Sequence, residues 1–191
     1  VDFHYELEKL LEDNLSEQAM YLWKYLQEQI DRPWIWDRPV SSSGKYHLRE
    51  DGRVPTIIEH TVEMLQAAVN LLPAYPMGNR DEQDAFLLAT ALHDCMKYEN
   101  KESERTSKYH DERMLEVILY HGRVVIGSIG FRAYCSLKQA IRYHHGQWST
   151  DLKRSSNPYE FFISVGGPIA VLLHTLDYLS MSNSLKFVQE E

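Results

Sequence analysis

The sequence predicts an all-α protein. Apolar residues recur at spacings of three and four over most of the chain, glycine and proline gather between those stretches, and only residues 124–129 have a β-like composition. Over residues 6–30, Leu10, Leu11, Leu15, Ala19, Leu22, Trp23, Leu26 and Ile30 trace one face of an amphipathic helix, which Asp31-Arg32-Pro33 stops. Residues 33–55 hold three prolines, two glycines and the run Ser41-Ser42-Ser43, the composition of a long ordered loop. A loop of that length inside a compact domain is more often functional than idle. Helices follow over about 56–72, 80–97, 110–121 and 131–144. Asp81 and Glu82 suit the positive N-terminal end of the 80–97 helix, and Gly122 and Gly146 suit left-handed caps after the last two. Residues 98–108 carry charges of both signs and read as exposed loop, and 146–158 as a second polar loop. The last helix starts near Pro158, breaks at Gly166-Gly167-Pro168 and runs to about residue 180.

Charge and composition exclude some functions. Twenty basic against 28 acidic residues leave a net charge of −8, which repels polyanions at long range. A broad groove for duplex DNA is therefore not expected, while a local cationic pocket for one phosphate group is compatible. The two cysteines, Cys95 and Cys135, cannot build a disulfide framework and suit a reducing compartment. No apolar run approaches the roughly 20 residues of a bilayer span, and the first residues lack the basic start and apolar centre of a signal peptide. The expectation is a cytoplasmic protein without a membrane partner.

Chemistry enters through the placement of the histidines. His60 shares a helix face with Ile57, Met64 and Ala68; His93 follows Phe86 and Ala89 at helical spacing and is followed by Asp94. His110 starts the face of Met114 and Val117, His144 follows Leu137 and Ile141, and Asp177 lies between Leu173 and Ser180. Five helices thus direct an imidazole or a carboxylate inward. A buried carboxylate needs positive partners, and one divalent metal satisfies several such groups at once. A lone histidine on an apolar helix face is more often a hydrogen-bonded core residue than a ligand. His4 and His174 are read that way, with His174 orienting Asp177, and His121 as a cap of its own helix. His145 stands about 100° round the helix from His144, so the two cannot both face inward if the helix continues.

These residues carry a resemblance. His60, His93-Asp94 and Asp177 resemble the H…HD…D signature of the HD superfamily of metal-dependent phosphohydrolases, an all-helical fold, from about residue 34 to 178. Three local strings strengthen it: Ser41-Ser42-Ser43-Gly44-Lys45-Tyr46-His47 looks like the serine-rich GKYH segment ahead of the first ligand helix in one group of the family. His93-Asp94-Cys95-Met96-Lys97 looks like its HDxxK string, and Tyr143-His144-His145-Gly146-Gln147-Trp148 like its later histidine string.

The resemblance implies an HD-domain-like helical bundle with long functional loops. It would form one domain over 1–191: an N-terminal helix over 1–32, a substrate loop over 33–55 and a metal-binding core over 56–180. It implies His60, His93, Asp94 and Asp177 as ligands of a first ion. His110 and His144, or His145 in place of His144, match the positions that binuclear members use for a second, with Asp94 bridging. Mixed imidazole and carboxylate ligands suit Mn, Fe, Co, Ni or Zn, as one ion or two. Asp94 and Lys97 are the expected catalytic residues, Lys97 placing its ammonium near developing charge. Ser42, Ser43, Lys45, His47 and Gln147 are the expected substrate contacts, with Arg49 and Arg53 as further phosphate partners and Trp34, Trp36 and Trp148 as stacking or core residues. The function implied is hydrolysis of a phosphomonoester or phosphodiester of a nucleotide or short nucleotide-like substrate by a metal-activated water. The alternatives are a 3′-end nuclease on single-stranded nucleic acid and a nucleotide-sensing HD domain without catalysis. Acidic charge disfavours the first, and the complete ligand set disfavours the second.

Overall fold

The computed structural model describes residues 1–43, 47–49, 51–74, 79–146 and 157–181. Among them are seven α-helices, one 3₁₀ turn and no strand: α1 (Phe3–Asn14), α2 (Glu17–Ile30), the 3₁₀ turn Pro33–Ile35, α3 (Ile57–Leu71), α4 (Arg80–Leu92), α5 (His110–Tyr120), α6 (Gly122–Tyr143) and α7 (Pro158–Met181). The all-α expectation holds. Residues 124–129, the one β-like stretch, lie inside α6, because Val125 and Ile129 are four apart and bury on one helix face.

Two helices stand where the periodicity predicts one. Leu7, Leu11, Leu15, Ala19, Leu22, Leu26 and Ile30 are all buried, and their three-and-four rhythm passes unbroken through the break. Ser16 makes that break. Its Oγ accepts the Ala19 amide as the α2 N-cap at 3.2 Å and donates to Asp84 Oδ2 at 2.5 Å, while its own amide donates to Asp84 Oδ1 at 3.0 Å. Both helices face the same core, so the rhythm survives while the axis changes.

α4 is the central helix: Asp84 through Leu92 are all buried, and it packs against α3, α6 and α7. It ends at Leu92 rather than near residue 97. Bonds from Cys95 N–H to Leu92 O (3.1 Å) and from Lys97 N–H to Asp94 O (3.0 Å) tighten the chain into turns, which swings His93 and Asp94 to one side. Gly122 begins α6 instead of ending α5, and the two helices meet at 94°. It is glycine for close approach, since a Cβ there would stand 3.0 Å from Tyr134 Oη. Gly130 in α6 and Gly167 in α7 hold φ of 77° and 71° and bend their helices, the second at the expected break.

α7 corrects the expectation about apolar runs: residues Glu160–Met181 are long and apolar enough to cross a membrane. Here it serves as a packing helix against α6, α3 and α4. The buried apolar residues of all seven helices form one continuous core. The histidine-bearing ends of α3, α4, α5, α6 and α7 meet at one side of it.

Candidate metal centre

The start of α3 is fixed by a capping box: Thr56 Oγ1 accepts the Glu59 amide, and Glu59 Oε2 accepts the Thr56 amide at 2.7 Å. Arg53 forks onto the same carboxylate at 2.7 and 2.9 Å. The next residue is His60, 1% exposed. Its Nδ1 lies 3.2 Å from Ser180 Oγ, whose hydroxyl donates to Asp177 O at 2.7 Å. Ser180 must then accept from Nδ1–H, which leaves the lone pair of His60 Nε2 pointing inward.

Three other histidines are set the same way. His93 Nδ1–H donates to Thr90 O at 2.8 Å, His110 Nδ1–H to Ser107 O at 2.9 Å and His144 Nδ1–H to Ile141 O at 2.7 Å. Carbonyl oxygens only accept, so each ring is protonated on Nδ1 and presents a bare Nε2. Those Nε2 atoms converge in pairs: His60 to His93 at 3.3 Å and His110 to His144 at 3.1 Å. The carboxylates complete two clusters. Asp94 Oδ2 lies 3.5 Å from His93 Nε2 and 3.9 Å from His60 Nε2, while its Oδ1 lies 3.2 Å from His110 Nε2. Asp177 Oδ1 lies 3.3 Å from His60 Nε2.

Acceptors this close repel unless a positive charge sits between them. Asp94 Oδ1 and Asp177 Oδ1 are buried and accept no hydrogen bond, as the bare Nε2 atoms facing them require. Lys97 Nζ meets Asp94 Oδ2 at 2.6 Å and neutralises one oxygen. Burial opposes ionisation of Asp94, and the Lys97 ammonium leads the groups that outweigh it, holding the carboxyl well below its usual range. Burial also opposes ionisation of Asp177, whose carboxyl is nonetheless held below its usual range, with Lys97 among the charges that favour the anion. Protons cannot supply the missing charge everywhere, because burial lowers His93 and His144 and pushes His47 and His145 down to about 3. Divalent ions satisfy all these atoms together, so the donor set fits a metal. The ligand atoms of His60, His93 and Asp94, of His47, His60 and Asp177, and of His110, His144 and His145 fall into groups within 4.8 Å.

The six residues expected as ligands therefore come together, with Asp94 turning one oxygen to each cluster. His145 joins them against the expectation that only one of the pair faces inward, its ligand nitrogen grouping with those of His110 and His144 just beyond the end of α6. His145 lies edge-on to His110 at 4.7 Å, with Nδ1 3.8 Å from Asp111. His121 instead pairs with Tyr25 Oη at 2.8 Å, and His4 is exposed beside Asp37. His174 Nδ1–H donates to His144 O at 2.9 Å.

A pocket of about 690 Å³ opens over these groups, lined by Ser41, Ser42, Ser43, His47, Lys97, His110, His145 and Asp177. Ser42, Ser43 and His47 thus reach the place expected of them. His47 is a non-glycine residue at φ 61°, 6% exposed, with an unpartnered Nδ1, a strained placement of the kind found at functional sites. Lys45, Gln147 and Trp148 lie outside the described residues. Arg49 and Arg53 are engaged elsewhere, by Glu63 and Glu59. Trp36 packs in the core on Trp23, and Trp34 stacks under Arg32. Sequence reasoning missed Thr106, Ser107 and Lys108, which line the pocket from what reads as exposed loop. Their signal was proximity to His110. Ser107 N–H bonds Lys97 O at 2.7 Å, and Thr106 N–H bonds Ser42 Oγ at 3.1 Å, tying that loop across the mouth.

Residues 57–188 match the family model described as HD domain. The chain belongs to the HD domain family. The comparisons with curated proteins and with solved structures find no match. Membership places this HD protein in the superfamily of metal-dependent phosphohydrolases, whose domains bind divalent metals. The matched range begins at α3 and takes in every residue of the two histidine clusters except His47.

Proposed function

We propose that this HD protein hydrolyses a phosphoester of a nucleotide or short nucleotide-like substrate. The observation that carries the reading is the convergence of four bare Nε2 atoms and two carboxylates at a pocket that His110 and Asp177 line together with the Ser41–Ser43 and Thr106–Ser107 hydroxyls, Lys97 and Lys108. His60, His93, Asp94 and Asp177 would hold one ion, and His110 and His144, joined by His145, a second that shares Asp94. Such ions supply Lewis-acid polarisation of the phosphoryl oxygen and of the attacking water, and Mn, Fe, Co, Ni or Zn suits the ligands.

The chain's own groups do the rest. The hydroxyls of Ser42 and Ser43 and the Thr106–Lys108 segment line the wall where phosphate oxygens would be held. Lys97 places its ammonium beside Asp94, where negative charge develops as the phosphorus is attacked. His47, neutral at physiological pH, can donate from one ring nitrogen and accept at the other without adding charge to the pocket. A volume of about 690 Å³ suits a small ligand.

The test is release of phosphate or nucleoside from a panel of nucleoside mono-, di- and triphosphates and cyclic nucleotides. It is run with each divalent metal and after chelation. Metal-dependent turnover of at least one nucleotide is expected. Tight nucleotide binding with no turnover under any metal would replace the enzyme with a sensor, and turnover only of single-stranded oligonucleotides would replace it with a nuclease.

A further inference from the structure

Two of the three histidines of the second cluster, His144 and His145, stand just beyond the end of α6. His144 keeps a helical backbone, at φ −61° and ψ −25°, and Gly146, at φ 58°, turns the chain away. His144 and His145 are presented together on this turn, with His144 Nε2 brought to 3.1 Å from His110 Nε2.

His174 contacts this turn in two ways. Its Nδ1–H donates to the His144 carbonyl across thirty residues of chain, at 2.9 Å. Its ring also fills the space beside Gly146: a Cβ built there would stand 2.4 Å from His174 Nε2 and 2.5 Å from two ring carbons. Gly146 adopts φ +58°, so it is glycine both for its left-handed backbone and for the ring that lies against it. The ring is held from its other side, edge-on to Phe162 with centroids 5.3 Å apart.

His174 also stands on the helix that serves the other cluster. On α7, His174, Asp177 and Ser180 follow at intervals of three, one stripe along the helix. Asp177 meets His60 Nε2 and Ser180 meets His60 Nδ1. One helix face therefore reaches both clusters.

We propose that His174 is a positioning residue for the His110–His144–His145 cluster: by holding the His144 carbonyl and packing on Gly146, it keeps that cluster competent to bind a second ion in register with the first. This rests on the two-ion reading given above.

The experiment is a Mn²⁺ titration of metal-free full-length protein by calorimetry, with electron paramagnetic resonance to detect spin coupling between paired ions. Wild type is expected to bind two ions and to show coupling. In His174→Ala the tighter ion should keep its affinity, while the weaker one loses about 10–100-fold and the coupling fades at matched Mn²⁺. His174→Asn places an amide N–H where Nδ1–H stood, so it should recover most of the lost affinity. It also decides the matter if the Ala variant fails to fold. Unchanged affinity for both ions in His174→Ala overturns the proposal, as does equal weakening of both, or failure of Asn to restore the second. Wild type that binds one ion overturns the proposal together with the second site, and wild type that binds none overturns the metal reading itself.

Discussion

Asp94 is the residue on which both clusters depend. It is 1% exposed, and its two oxygens divide between His60 with His93 and His110. Asp94→Asn keeps the shape and removes the charge, so it should lower affinity at both ion positions and reduce the proposed phosphohydrolase activity by at least about 10³-fold. Metal analysis beside a melting curve checks this, and wild-type metal content in the variant would end the assignment. Ser180 permits a more selective test. It holds His60 in the tautomer that bares Nε2, so Ser180→Ala should weaken only the His60–His93 position, by about 10–100-fold. Competition with a chelator of known affinity would read this. Equal loss at both positions would show that Ser180 supports the fold rather than the tautomer.

At the scale of elements, Asp84 ties the start of α2 to α4. It is 1% exposed, accepts from the Ser16 amide and the Ser16 hydroxyl, and pairs with the Arg80 guanidinium at 3.2 Å. Asp84→Ala leaves the Ser16 donors unpaired and should cost about 2–3 kcal/mol in urea unfolding while metal content stays at the wild-type level. A change below about 0.5 kcal/mol would mean the anchor is replaceable by water. The same spot explains what sequence reading reached and what it did not. Helix identity was legible because burial faces repeat at three and four, and the α3 boundary was legible because Thr56 and Glu59 form a local capping box. The α1–α2 break was hidden because its cause, Asp84, lies 68 residues away. His60, His110 and Asp177 were legible as inward-facing polar groups on helices, His93 and His144 because each caps an apolar helix face with its backbone still helical, and Asp94 through its place beside His93. His145 and the Thr106–Lys108 wall were not, since they sit on turns, where helical phase says nothing about direction. Arg49 and Arg53 misled for the opposite reason: their acidic partners belong to the next helix, and a count of loop charges does not pair them.

For the molecule as a whole, gathering neutral imidazoles in one place makes stability depend on pH. Burial lowers His93 and His144, and it pushes His47 and His145 down to about 3. In the unfolded chain each returns to about 6.5. Below that value the unfolded chain takes up protons that the folded chain refuses, so this contribution is complete above pH 6.5 and is lost as the pH falls. Each histidine that stays neutral adds a slope of about 1.4 kcal/mol per pH unit. Asp94 and Asp177, held below the usual carboxylate range, extend the loss below about pH 4 in the same direction. Metal-free protein should therefore show urea stability that is level between pH 7 and 8.5 and falls by several kcal/mol from pH 6.5 to 4.5. Protein loaded with Mn²⁺ should fall more steeply over that range, because protons compete with the ion for the same Nε2 atoms. Replacing His144 by Gln should make the metal-free slope shallower, by up to the contribution of one histidine. Metal-free stability that stays constant from pH 7 to 5 would mean that these imidazoles take up protons in the folded chain as readily as in the unfolded one. The close Nε2 pairs would then be proton-bridged rather than open to a metal.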